Sequence, residues 1–156
     1  MKVTIYSRNE LDQLLKAEVP KNTALIRFFD SEMPEEEKEN RKLPEEVTDV
    51  FEIELDDIDK DELEELGFSE ETFFPEAKEL ARFICRAHEK NLDIICQCEY
   101  GQSRSAGCAA AILEFFYKDG ISVFRDYRYF PNKLIFNKVF EALKECCMNA
   151  DHTGTL

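Results

Sequence analysis

An apolar stretch, Asp93–Gln97, runs without a linker into the turn 98–104 and then into the alanine-rich run 105–118. Ile94 and Ile95 mark a short strand, and the alanine run, closing near Gly120, marks a helix. A strand that becomes a helix over so few residues turns its loop amides inward at the helix N-terminus, where they bind an anion. Gly101 permits the positive φ that such a loop often needs. Arg104 adds a planar fork able to hold two phosphate oxygens. Cys98 stands at the base of the loop, in a field that favours a thiolate. An ordinary thiol near pKa 8.5 is only about 3% ionised at pH 7. Bringing that value to ~5 is worth roughly 4.8 kcal/mol. Loop amides, helix dipole and Arg104 are the sources at hand, and Ser105 can donate a hydrogen bond to the sulfur.

The rest of the chain alternates strands and helices. Residues 2–6 read as a first strand. Ser7 and Glu10 then form a capping box for a helix carrying Leu11, Leu14 and Leu15. Residues 24–29 read as a buried strand, and 50–55 as a half-buried one, with Phe51, Ile53 and Leu55 alternating against Glu52 and Glu54. A helix is predicted over 73–90, with Ala77, Leu80, Ala81, Ile84, Cys85 and His88 on its apolar stripe. His88 reads as a partly buried packing residue. A short helix at 121–127 and a last one from Pro131-Asn132 complete the pattern, and 149–156 reads as a flexible C-terminal tail. The aromatic residues Phe115, Phe116, Tyr117, Phe124, Tyr127, Tyr129 and Phe130 read as core and inter-helix packing. The order predicts one α/β layered domain over residues 1–148, a central, mostly parallel twisted sheet flanked by helices.

Charge narrows the partners. The chain of 156 residues has a net charge of −14. Residues 31–72 hold nineteen acidic and four basic side chains and so account for the whole excess. Such a protein is a poor match for nucleic acid or an anionic membrane, so an anionic substrate must be captured locally. Most of this charge is expected to be a solvated face with short helical turns. No apolar run is long enough to span a bilayer, and the first residues show no secretory pattern, which predicts a cytoplasmic protein. The six cysteines form no CxxC pair, so neither a zinc site nor a disulfide framework is expected. Cys85 and Cys108 read as core thiols, and Cys96 as a small buried residue in a central strand.

Cys98, five intervening residues, Arg104 and Ser105 resemble the signature loop of the cysteine-dependent protein tyrosine phosphatases. Gly101 and Ser103-Arg104-Ser105 look most like the dual-specificity branch. Asp56-Asp57-Ile58 after a strand, and the late Tyr129-Phe130-Pro131-Asn132, resemble small bacterial phosphatase-like proteins more closely still. The resemblance covers about residues 50–145. It implies that Cys98 attacks phosphorus and forms a phosphocysteine. The amides of Glu99, Tyr100, Gly101, Gln102, Ser103 and Arg104, with the Arg104 guanidinium, would bind the phosphoryl oxygens. Ser105 would assist breakdown of the intermediate. Asp57 or Asp56 would protonate the leaving oxygen and then activate water, with Asp57 preferred from its place past the strand end. The spacing to Cys98 requires an insertion within 59–72. No metal or organic cofactor is implied.

Phosphotyrosine is the default substrate, in a phosphorylated protein or a small phosphomonoester. Phosphoserine and phosphothreonine stay open because a short chain leaves little room for a deep pocket. The loop carries Glu99 and Gln102 and no lysine, which argues against phosphoinositides and RNA 5′ ends. One departure stands out: the family has histidine before the nucleophile, and here it is Gln97. Glutamine can bond loop carbonyls but carries no charge. Glu99 would also oppose ionisation if its carboxylate turned inward. A thiol harder to ionise than is usual in the family, and slower turnover, are therefore expected. Two other readings follow from the same residues: a phosphate-binding pseudophosphatase or scaffold, and a thiol-redox protein using Cys96 and Cys98.

Overall fold

Every apolar run read as a strand joins one sheet in the computed structural model, which describes residues 1–153. The strands are β1 (Val3–Tyr6), β2 (Thr23–Phe29), β3 (Val50–Glu54) and β4 (Asp93–Gln97). The helices are α1 (Arg8–Ala17), α2 (Glu35–Glu39), α3 (Lys60–Glu65), α4 (Ala77–Glu89), α5 (Arg104–Tyr117), α6 (Ile121–Phe124) and α7 (Lys133–Thr153). The sheet order is β1-β4-β2-β3, and all three pairings are parallel. Each parallel connection therefore needs a crossover, which the helices supply.

The sheet is covered on both faces, as a parallel sheet requires. One face carries Ile26, Phe28, Ile53, Ile94 and Cys96 into the main core with α4, α5 and α7. The other carries Leu25 and Ile95 against Leu11 of α1 and the partly buried Leu43 and Val47. The capping box is present: Ser7 Oγ accepts from the Glu10 amide, and the Ser7 amide donates to Glu10 Oε1, both at 3.1 Å. Residues 104–112 of α5 are all buried, because this helix lies between the sheet and the α6–α7 layer. Its small side chains are what allow that close approach.

Several local expectations change. Helix α4 begins at Ala77 rather than at 73, because Phe74 turns into the left-handed region (φ 56°) to bury its ring against Phe28. The buried stripe of α4 runs through Phe83 and Ala87 instead of Cys85 and His88. His88 is exposed, with its ring stacked on Phe116 at 4.1 Å. Phe115, Phe116, Phe124 and Phe136 do pack with one another or with neighbouring rings. Tyr127 and Phe130, however, are 98% and 73% exposed. The loop before Pro131 is drawn toward Gln102 by its backbone and leaves those rings outside. The acidic segment contains α2, β3 and α3, and its carboxylates are largely exposed. Helix α7 continues to Thr153, and residues 154–156, the end of the expected tail, lie outside the described residues. No helix among the described residues is long and apolar enough to cross a membrane.

Candidate active site

The turn 98–104 sits at the carboxyl edge of the central strand β4, between β1 and β2. Four of its carbonyls, those of Cys98, Glu99, Gln102 and Ser103, are tied to outer partners. Gln97 Nε2 donates to Cys98 O at 2.9 Å and the Arg8 amide to Glu99 O at 3.1 Å. The Phe130 amide donates to Gln102 O at 2.8 Å, and the amides of Gly107 and Asn132 to Ser103 O. With these carbonyls turned outward, the peptide planes turn their N–H groups the other way. The amides of residues 99–103 donate to no protein acceptor among the described residues. A ring of unpaired donors at the N-terminus of the fourteen-residue α5 is an anion cradle. Gly101 makes the curve possible, with φ at 65° and its Cα packed against the β1–α1 junction.

Cys98 is 2% exposed, and its Sγ lies 3.1 Å from Ser105 Oγ. Arg104 is buried, and its Nη1 donates to Leu55 O at 2.8 Å and pairs with Asp30 Oδ1 at 2.7 Å. Both contacts fall on one nitrogen, so Nε and Nη2 keep the two-pronged edge that holds a pair of oxygens. Tyr100 and Gln102 project outward as exposed side chains, which leaves their backbone as their contribution to the cradle.

The two neighbouring aspartates differ sharply. Asp57 Oδ1 accepts from Ser103 Oγ at 2.7 Å and from Asn132 Nδ2 at 2.8 Å, so its carboxyl is drawn to the loop. Asp56 turns away, accepting from the Ser31 hydroxyl at 2.6 Å and the Ser31 amide at 2.9 Å. Those two bonds hold its carboxyl below the usual carboxylate range. Asn132 is the hub: Nδ2 also donates to Ile58 O, and Oδ1 accepts the Ile135 amide at the start of α7. One buried side chain thus joins the aspartate segment, the loop and the last helix. Asn132 was visible only as part of the Tyr129–Asn132 segment, and Asp30 carried no signal beyond ending an apolar strand.

Glu99 does not turn toward the thiol. Its carboxylate is held by Arg41 Nη2 at 3.1 Å and lies 3.7 Å from Arg8 Nη1. The expected opposition to ionisation from Glu99 is therefore offset by two cations. Cys96 is fully buried, and its hydrogen bond to Cys108 and its burial push its thiol well up. That environment suits a packing residue better than a redox partner. Two clefts flank the loop. One of about 640 Å³ is bordered by Asp57, Ser103, Phe130 and Asn132. The other, about 550 Å³, is bordered by Asp30, Asp56, Glu99 and Tyr100.

No protein-family model and no curated protein sequence matches the chain. Its architecture does match solved structures. PTPMT1 superposes with a TM-score of 0.54 at 15% identity, covering 97% of this chain and 95% of that one. The PTP-2 phosphatase of Cydia pomonella gives 0.54 at 13% identity, over 90% and 85% of the two chains. The human tyrosine phosphatase-like serine/threonine/tyrosine-interacting protein gives 0.52 at 14%, over 91% and 86%. Sheet order, loop position and these superpositions agree: the chain has the fold of the cysteine-dependent protein tyrosine/dual-specificity phosphatases.

Proposed function

We propose that this protein hydrolyses phosphomonoesters through a phosphocysteine on Cys98, with phosphotyrosine as its default substrate and phosphoserine and phosphothreonine also admitted. The observation that carries the reading is the ring of unpaired amides at 99–103 around a buried thiol, closed by Arg104. The phosphoryl group sits in that cradle, with two of its oxygens on the Arg104 Nε–Nη2 edge. Sγ attacks phosphorus in line, and Asp57 delivers a proton to the leaving oxygen. Asp57 then removes a proton from the water that attacks the phosphocysteine. Ser105, 3.1 Å from Sγ, donates to the sulfur as it leaves. Asp57 is preferred over Asp56 because Ser103 and Asn132 hold it at the loop, whereas the Ser31 bonds keep Asp56 ionised and turned away. None of these steps draws on a metal or an organic cofactor.

The substrate is a phosphorylated protein or a small phosphomonoester. The acidic surroundings, with Glu32 in one cleft and Asp57, Asp59, Asp61 and Glu62 in the other, disfavour polyanionic ligands such as nucleic acid or an anionic membrane. A cytoplasmic location goes with this reading. A second reading, a phosphate-binding scaffold with little turnover, is favoured by one contact: the residue before Cys98 is the neutral Gln97, whose amide holds the Cys98 carbonyl and keeps the cradle open but brings no charge to ionise the thiol.

Hydrolysis of an aryl phosphate across pH 4–8, with vanadate as inhibitor, separates the two. Turnover that vanadate blocks and Cys98→Ser abolishes establishes the enzyme. Vanadate binding without turnover at any pH establishes the scaffold.

A further inference from the structure

Arg27 is a charged residue in the middle of the sheet, and it is 4% exposed. The register sets it opposite Glu52 on β3 and opposite Gln97 on β4. These three polar side chains form a row across the sheet. Arg27 Nη1 donates to Glu52 Oε2 at 3.1 Å and to Arg41 O at 3.0 Å. Its Nε donates to Gln97 Oε1 at 3.2 Å. Gln97, 1% exposed, passes the chain on by donating from Nε2 to Cys98 O. The row begins at a half-exposed carboxylate and ends on the carbonyl of the candidate nucleophile.

Sheet stability does not call for this arrangement. A buried charge is commonly no better for stability than an apolar side chain of the same volume. What the row does supply is direction. A guanidinium bonded to the glutamine oxygen polarises the amide and strengthens its N–H as a donor. That donor fixes the Cys98 carbonyl outward, which is the orientation that leaves the following amides free.

We propose that Arg27 is a positioning residue for Cys98, acting through Gln97 to hold the loop's first carbonyl, with its positive charge on the sheet face opposite the thiol. The effect on turnover rests on the proposed phosphatase reading; the effect on the thiol does not. Other ionisable groups around the loop and Arg27 are Arg104 on α5, Asp30 after β2, Asp56 and Asp57 after β3, Tyr100 and Glu99 in the loop, Arg8 and Arg41 on Glu99, Cys96 on β4 and Asp12 on α1, whose charge acts on Arg27. The variants below leave all of them in place.

The test is the pH dependence of iodoacetamide alkylation at Cys98 in the full chain, read on the Cys98 peptide by mass so that the other thiols do not count. Arg27→Met moves the alkylation midpoint up by about half a unit to one unit, a roughly 3–10-fold loss of rate at pH values below the midpoint. Glu52→Gln removes the counter-charge at a half-exposed site and moves the midpoint down, by roughly 0.2–0.5 unit. A purely structural row predicts no such opposition of sign. Midpoints that move together, or do not move, overturn the proposal. Should Arg27→Met fail to fold, Glu52→Gln decides alone, and an unchanged midpoint sinks the idea. Opposed shifts in a protein without turnover would uphold this role and defeat the phosphatase reading. Turnover without the shifts would do the reverse.

Discussion

Gly101→Ala tests how the loop is moulded. The residue has φ at 65°, and a Cβ placed there would lie 2.5 Å from Ser7 N and 2.7 Å from Tyr6 C. Both neighbours are backbone at the β1–α1 junction, so no side chain can swing aside. The left-handed conformation costs an alanine about 1–2 kcal/mol. The overlap adds about 1–3 kcal/mol, the usual cost of overpacking a rigid site. The sum is about 2–5 kcal/mol, or a fall in Tm of roughly 5–15 °C for a domain of this size. Gly67→Ala is the internal control, since φ is 80° there but nothing lies within 4 Å. It carries the conformational cost alone, about 1–2 kcal/mol. Urea unfolding of both variants isolates the contact. Gly101→Ala also weakens vanadate binding, while Gly67→Ala leaves it intact. Equal stability losses in the two variants, or an unaltered vanadate affinity in Gly101→Ala, would refute that role of the contact.

Asp57→Asn lowers kcat on a poor leaving group by about 10²–10⁴ and removes the general-acid limb of the pH profile, whereas Asp56→Asn retains that limb; steady-state rates across pH 4–8 read both. Asp30→Asn releases Arg104 from a competing carboxylate, so vanadate, measured by calorimetry, binds about 3–10-fold more tightly. Asp56 also predicts a pH dependence of stability. The Ser31 hydroxyl, then the Ser31 amide, place its folded value below the unfolded one. Its contribution is therefore fully present above the unfolded value near ~3.9 and is lost as pH falls through the folded value. Asp56→Asn is destabilised at pH 7, and its gap from wild type narrows as pH falls below about 4; urea midpoints from pH 7 to pH 3 check this.

How much of this was legible depends on sequence distance. The strand, turn and helix around Cys98 and Arg104 are local, so apolar pattern and small-residue composition reveal them. The strands and the Ser7–Glu10 cap are legible for the same reason. What holds the site together is not local. Asp57 meets Asn132 and Ser103, and Arg104 meets Asp30, across separations that no periodicity encodes. Asp57 and Asp56 are adjacent and alike in sequence, and only Ser31 on one and Ser103 on the other tell them apart. Arg27 sits inside an apolar run that reads simply as a buried strand. Its meaning appears once the order β4-β2-β3 sets it between Gln97 and Glu52. Composition also misplaced Tyr127 and Phe130, because an aromatic in a tight loop follows its backbone bonds rather than the hydrophobic tally.

The central claim is that Cys98 becomes covalently phosphorylated during turnover. The direct measurement is rapid acid quench of Asp57→Asn during reaction with an aryl phosphate, followed by mass analysis of the Cys98 peptide. This variant keeps an aryl leaving group that needs little protonation but lacks the base for hydrolysis, so the intermediate accumulates. One phosphoryl group is expected on Cys98, absent when vanadate is present and absent in Cys98→Ser. A peptide that stays unmodified while aryl phosphate is consumed, or turnover that survives Cys98→Ser, would contradict it.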